Sequence, residues 1–154
     1  LMRRLVYASL LALAAQSAAP PAFVLAQGIV AGEAPVEEIA RDDPRRKPIL
    51  DALRPAVEAE LHQAVVFVVD GIRVQGDWAF ATLHPRTKAG APIAFATTGL
   101  ADMAEDLDGD ATFALFERVE GRWYTIAYVI GPTDVAYADW PAHYGAPAGL
   151  FRLP

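Results

Sequence analysis

The stretch Ala64-Val65-Val66-Phe67-Val68-Val69-Asp70-Gly71-Ile72-Arg73-Val74-Gln75-Gly76-Asp77-Trp78-Ala79-Phe80-Ala81-Thr82-Leu83 decides the fold. Ala64 to Val69 is a β-branched apolar run, and Ile72-Arg73-Val74 continues it with alternation. Such residues suit a pleated, half-buried surface. Gly76-Asp77 is a turn signal, and Trp78 to Leu83 reads as the returning strand.

A second hairpin is expected further on. Thr112 to Val119 and Arg122 to Ile130 flank Glu120-Gly121, a second glycine turn. Val74-Gln75-Gly76-Asp77-Trp78 and Val119-Glu120-Gly121-Arg122-Trp123 share the pattern Val-x-Gly-x-Trp. Duplication and independent use of good hairpin chemistry explain the echo equally well. Between the hairpins, Pro85 to Pro92 reads as a loop, Ile93 to Thr98 as a short strand and Ala101 to Asp110 as an acidic loop.

Before the first strand the period changes. Ile49, Leu50, Leu53, Val57 and Leu61 are spaced by three and four and line one helical face. Asp43 is the expected N-cap, with Pro44 at the first helical position. Pro55 removes a backbone bond inside this helix, so a kink or two short helices is expected at Arg54-Pro55. Gln27 to Ala40 is rich in Gly, Ala, Pro and Glu and reads as a flexible leader extending to residue 42. The tail from Gly131 to Pro154 carries four prolines and four aromatics and reads as irregular chain packed on the sheet. The fold class is therefore α+β: a kinked N-terminal helix on a curled, mostly antiparallel sheet, with an aromatic, irregular C-terminal cover. A single domain is expected over residues 43–154.

Residues 2–26 form an export signal. Arg3 and Arg4 supply a positive start, Leu5 to Ala15 is apolar apart from Ser9, and small residues follow. The apolar run falls short of the roughly 20 residues that span a bilayer. Cleavage after Ala26 is preferred, and Ala19, which would leave Pro20 first, is the alternative. A periplasmic or extracellular location follows. No cysteine stands near the cleavage site, which excludes lipoprotein processing.

Composition removes several chemistries. The net charge is −6, and losing Arg3 and Arg4 makes the remainder more acidic. A domain without a basic stripe is a poor partner for nucleic acid or anionic lipid. Cysteine is absent, and Ser9 and Ser17, both inside the signal, are the only serines. Serine and cysteine nucleophiles are thus excluded from the domain after the signal, and its fold has no disulfide staples.

Four groups of residues remain as candidate sites. Asp102, Glu105, Asp106, Asp108 and Asp110 cluster around Gly109, and calcium at Asp106, Asp108 and Asp110 is one reading. The EF-hand pattern fails there: Gly109 at its sixth position puts Ala104 first and Leu115 twelfth. A solvated acidic turn is the other reading. His62, His84 and His143 show no local zinc spacing, and no cofactor is expected. Asp70, His84, Glu117 and Asp134 lie on or beside strands. Glu117 shares a face with Phe113, Leu115 and Val119, which would raise its pKa if buried; in the other reading it pairs with Arg122 across the hairpin. Trp78, Trp123, Tyr124, Tyr128, Tyr137, Trp140 and Tyr144, with His143, build either core and lid or a ligand-binding surface.

The helix Ile49–Leu61, the strand Val65–Val74, Gly76-Asp77-Trp78-Ala79 and Gly121-Arg122-Trp123-Tyr124-Thr125-Ile126 resemble the NTF2-like superfamily, a cystatin-like α+β roll. The same elements, with Gly131-Pro132-Thr133-Asp134-Val135, also look like secreted bacterial proteins of unassigned function. The NTF2-like resemblance implies a helix-covered curled sheet and, in an enzyme, a carboxylate general base for which Glu117 and Asp70 are the candidates. The chain departs from the roll in having one convincing helical region. The functional expectation is an exported, non-enzymatic domain binding a small ligand, a peptide or a partner protein. An NTF2-like enzyme and a purely structural envelope protein are the alternatives.

Overall fold

The structure is a computed structural model that describes residues 33–152; the segment 2–26, read as an export signal, lies outside them. Five strands form one antiparallel sheet in sequence order: β1 (Glu37–Glu38), β2 (Val65–Gln75), β3 (Trp78–Thr87), β4 (Thr112–Val119) and β5 (Arg122–Ile130). Helix α1 (Arg46–Leu61) packs on one face. The other face is partly covered by the C-terminal segment, which holds the short helix α2 (Trp140–Tyr144) and a 3-10 turn at Ala148–Phe151. The chain is thus an α+β fold, with its sheet sandwiched between a helix and an aromatic cover.

Both hairpins form at the glycine turns. Gln75 pairs with Trp78 and Val119 with Arg122, so each loop has two residues. Gly76 alone has positive φ (60°) in the first, whereas Glu120 (50°) and Gly121 (79°) both do in the second. These are the mirror-image turns whose twist matches that of paired strands.

An irregularity in β2 explains how one strand keeps one apolar face. The register shifts between Val69 and Gly71, so Asp70 is an extra residue. A bulge of one residue exchanges the faces of everything after it. Val65, Phe67 and Val69 precede it, and Ile72 and Val74 follow, yet all five join the helix-side core. A matching shift at Leu115/Phe116 opposite β5 brings Ile126 and Ala127 together on the cover side.

The helix-side core is centred on Ile49, Leu53, Val57 and Leu61, all at most 1% exposed. Each such burial stabilises by roughly 1.5–3 kcal/mol. That is enough to carry α1 through Pro55, which lies on its exposed side and does not split it. A proline inside a helix costs about 3 kcal/mol, so packing rather than propensity holds this helix.

Several local expectations are corrected. Asp43 does not cap α1; its Oδ1 accepts the Arg45 N–H at 2.8 Å, one turn before the helix starts at Arg46. Part of the segment read as a flexible leader is sheet, because Glu37 and Glu38 pair with Val74 and Arg73. Strand β3 continues through Pro85 to Thr87. Proline is tolerated there because β4 begins opposite Leu83, so the missing N–H faces no strand. Ile93–Thr98 forms a 3-10 turn (Phe95–Thr97) instead of a strand. It tucks under the end of α1, where a Cβ on Gly99 would stand 2.2 Å from the Glu60 carbonyl oxygen.

Candidate functional site

The cover side has a closely packed aromatic centre. Phe80 lies against Phe113, Tyr137, Trp140 and Phe151, with centroid distances of 4.9–6.4 Å. Arg73 fastens the segment: its guanidinium donates to Leu150 O at 2.8 Å, to Gly149 O at 3.2 Å and to Arg152 O. Trp78 and Tyr137 are therefore packing residues here, and Trp123 is buried on the helix side.

Tyr128, Trp140 and Tyr144 have a different setting. β5 pairs with β4 and, among the described residues, with no strand on its other side. A groove of about 420 Å³ runs along this open edge, lined by Thr125 to Val129, by Ala56 of α1 and by Ala136, Trp140 and Tyr144 of the cover. A second groove of about 350 Å³ continues past Tyr128, Val129 and Ile130 to Glu60, Leu100, Met103 and Leu107. Helix and cover thus form two banks, with the bare strand edge between them.

The outward backbone groups follow from the ladder. Gly131 N–H donates to Ala111 O, so Gly131 faces β4; Arg118 N–H donates to Asp77 O, so Arg118 faces β3. Antiparallel pairs alternate, and the bulge resets that alternation at Ile126. Trp123, Thr125, Tyr128 and Ile130 are thereby left with their N–H and C=O directed away from the sheet. Thr125 adds a buried hydroxyl with no hydrogen-bond partner among the described residues. Burial of the Tyr128 hydroxyl, with the Glu60 carboxylate near it, raises its pKa. Tyr144 and Met103 are exposed beside the grooves, and His143 packs edge-on against Tyr144 at 4.6 Å.

The candidate carboxylates assemble elsewhere. His84 Nδ1 lies 2.7 Å from Asp110 Oδ1 and its Nε2 lies 2.9 Å from Asp70 Oδ2. Arg86 Nη1 donates to the other oxygen of Asp110. Carboxylates only accept, so both contacts are hydrogen bonds together only when both imidazole nitrogens carry hydrogen, as in the imidazolium form of His84. Partial burial alone would lower the His84 pKa, but the bonds to Asp110 and Asp70 raise it overall. Burial would raise that of Asp110, and the bonds from His84 and Arg86 outweigh it and lower it.

This chain of charges takes Asp110 away from Asp106 and Asp108. Among the described residues no group of three or more His, Asp or Glu is placed to hold a metal ion. Glu117 is half-buried, opposite Trp78 and Tyr124. Its expected pairing with Arg122 does not form; the neighbouring Arg118 instead meets Asp77 at 2.8 Å. Neither Glu117 nor Asp70 lines either β5 groove. His62 ends α1 with φ 53°, and Asp134 is exposed in the tail.

Sequence reasoning missed the His84 assembly, and turn register alone does not supply it. Counting back from Gln75–Trp78 puts His84 opposite Val69, and the bulge at Asp70 moves it opposite Val68. Comparison with known protein families, curated proteins and solved structures found no match to this chain.

Proposed function

We propose that this chain is an exported, non-enzymatic binding domain that takes an extended segment of a partner protein along β5 as a sixth strand. The carrying observation is the open β5 edge lying between α1 and the aromatic cover. Adding a strand satisfies a row of backbone groups, while side chains alternating to either bank supply selectivity. One bank offers Ala56 and Glu60, the other Ala136, Trp140 and Tyr144. Glu60 near one end favours a partner with a basic residue there. No helix among the described residues is long and apolar enough to cross a membrane. Export rests on the signal read at residues 2–26.

The test is selection from a library of random hexapeptides, followed by amide hydrogen exchange with the selected peptide bound. Thr125, Tyr128 and Ile130 amides are expected to slow, and Tyr144→Ala to weaken binding about tenfold, since burying an aromatic ring is worth more than 1.4 kcal/mol. Protection confined to other elements, or binding unaffected by Tyr144→Ala, would count against the reading.

A further inference from the structure

The opposite side of the sheet is open over half its length. β1 covers β2 at Arg73 and Val74, and Ile39 N–H donates to Ile72 O just beyond, leaving Val65 to Val69 without a neighbouring strand among the described residues. Pro85, opposite Phe67, reveals which groups face outward. Having no N–H, it occupies a non-bonded position of the ladder, so Phe67 directs its own N–H and C=O away from β3. Val65 confirms the alternation: its N–H donates to Glu58 Oε1 at 3.0 Å and its carbonyl accepts from Arg54 Nη1 at 2.5 Å. Two side chains of α1 thus occupy the first outward position. Phe67 and Val69, the next two, have no such partners among the described residues.

Arg41 and Arg46 stand beside these two residues. With Phe67, Val68 and Val69 they line a groove of about 350 Å³ that includes no carboxylate. The surrounding charges are largely matched. Arg45 meets Asp43 and Glu37, Lys47 meets Asp51, Arg54 also reaches Asp51, and Asp70 is held by His84. Arg41 and Arg46 form no ion pair among the described residues. Arg41 and Arg46 also border the adjoining groove over α1, which Asp42, Asp43 and Asp51 line with Lys47 and Arg54. Glu38 approaches Gly71 at the far end, where the open stretch stops.

We propose that this half-edge is a second strand-addition site, which takes a short, extended, acidic peptide segment. Its backbone pairs with Phe67 and Val69, and its carboxylates meet Arg41 and Arg46. Guanidinium groups recognise carboxylates through charge-assisted hydrogen bonds, and half-buried Phe67 on the helix side and exposed Val68 on the other face offer apolar contact to either face of the added strand. The site is independent of β5, lying at the other end of the strand order.

The test uses fluorescein-labelled Glu-Val-Glu-Val-Glu amide and its Gln and Lys counterparts, titrated into the full chain by anisotropy. The Glu peptide should bind at least about tenfold more tightly than either counterpart, the worth of one charged hydrogen bond. Arg41→Gln with Arg46→Gln should remove that preference without changing the melting temperature. Bound peptide should slow exchange at the Phe67 and Val69 amides. Equal affinity for the three peptides, an unaltered preference in the double variant, protection at β5 instead, or full competition by free glutamate at the same concentration would each overturn the proposal.

Discussion

His84 and Asp110 tie the start of β4 to the far end of β3 through a 2.7 Å contact between Nδ1 and Oδ1. The bond has a direction in pH. The folded pKa of His84 lies above its ordinary 6.5, so its contribution is full below that value and lost as pH rises through the folded pKa. Asp110 lies below its ordinary 3.8; its contribution is present above that value and lost as pH falls through the folded pKa. Replacing His84 with Gln should cost about 1 kcal/mol at pH 6 and less as pH rises. Urea denaturation of both proteins from pH 5 to 9 measures the converging difference, and a constant gap would show that His84 carries no linked charge.

Glu120 occupies a left-handed position (φ 50°) that asparagine and glycine prefer. Glu120→Asn should stabilise the domain by about 0.5–1 kcal/mol. Thermal melting reads the gain, and no change would mean that the turn relaxes.

Thr125 buries a hydroxyl that finds no hydrogen-bond partner among the described residues. Thr125→Val keeps the shape and removes the unpaired group, and is expected to raise stability by about 1 kcal/mol. Melting temperature is the readout, and destabilisation would show that the hydroxyl already has a partner such as water.

Arg73 is the hydrogen-bonding link from β2 to the last described turn. Arg73→Leu keeps the stem and strips three carbonyls of their donor, at a cost of about 2 kcal/mol. Faster hydrogen exchange at Leu150 and Phe151 with unchanged exchange in α1 is the expected pattern.

If the signal is read as expected, the exported chain begins at Gln27. Intact mass of protein recovered outside the cytoplasm decides between Gln27 and Pro20.

The sequence made the helix face and both hairpins legible, because periodicity and glycine turns are local. Strand β4 and strand β5 form over the ranges that alternation marks. The bulge at Asp70 was hidden: period-2 reasoning places Val69 and Ile72 on opposite faces, and only the sheet shows that one extra residue reunites them. The β5 groove was half legible. Tyr128, Trp140 and Tyr144 were marked as aromatic, but which of the aromatics would face a bare edge depends on strand order. Arg41 and Arg46 carried no signal at all, since their meaning comes from β1 stopping short of Val69.

The bonds of Arg73 also set an order of assembly. Its partner Leu150 lies 77 residues away along the chain, whereas α1, β2 and β3 are neighbours in sequence. Closing so long a loop carries a larger entropy loss than joining adjacent elements. The helix side should therefore solidify first, leaving Phe80 and Leu115 exposed until the tail arrives. During that interval the nascent chain presents an unshielded apolar sheet, and aggregation competes with completion.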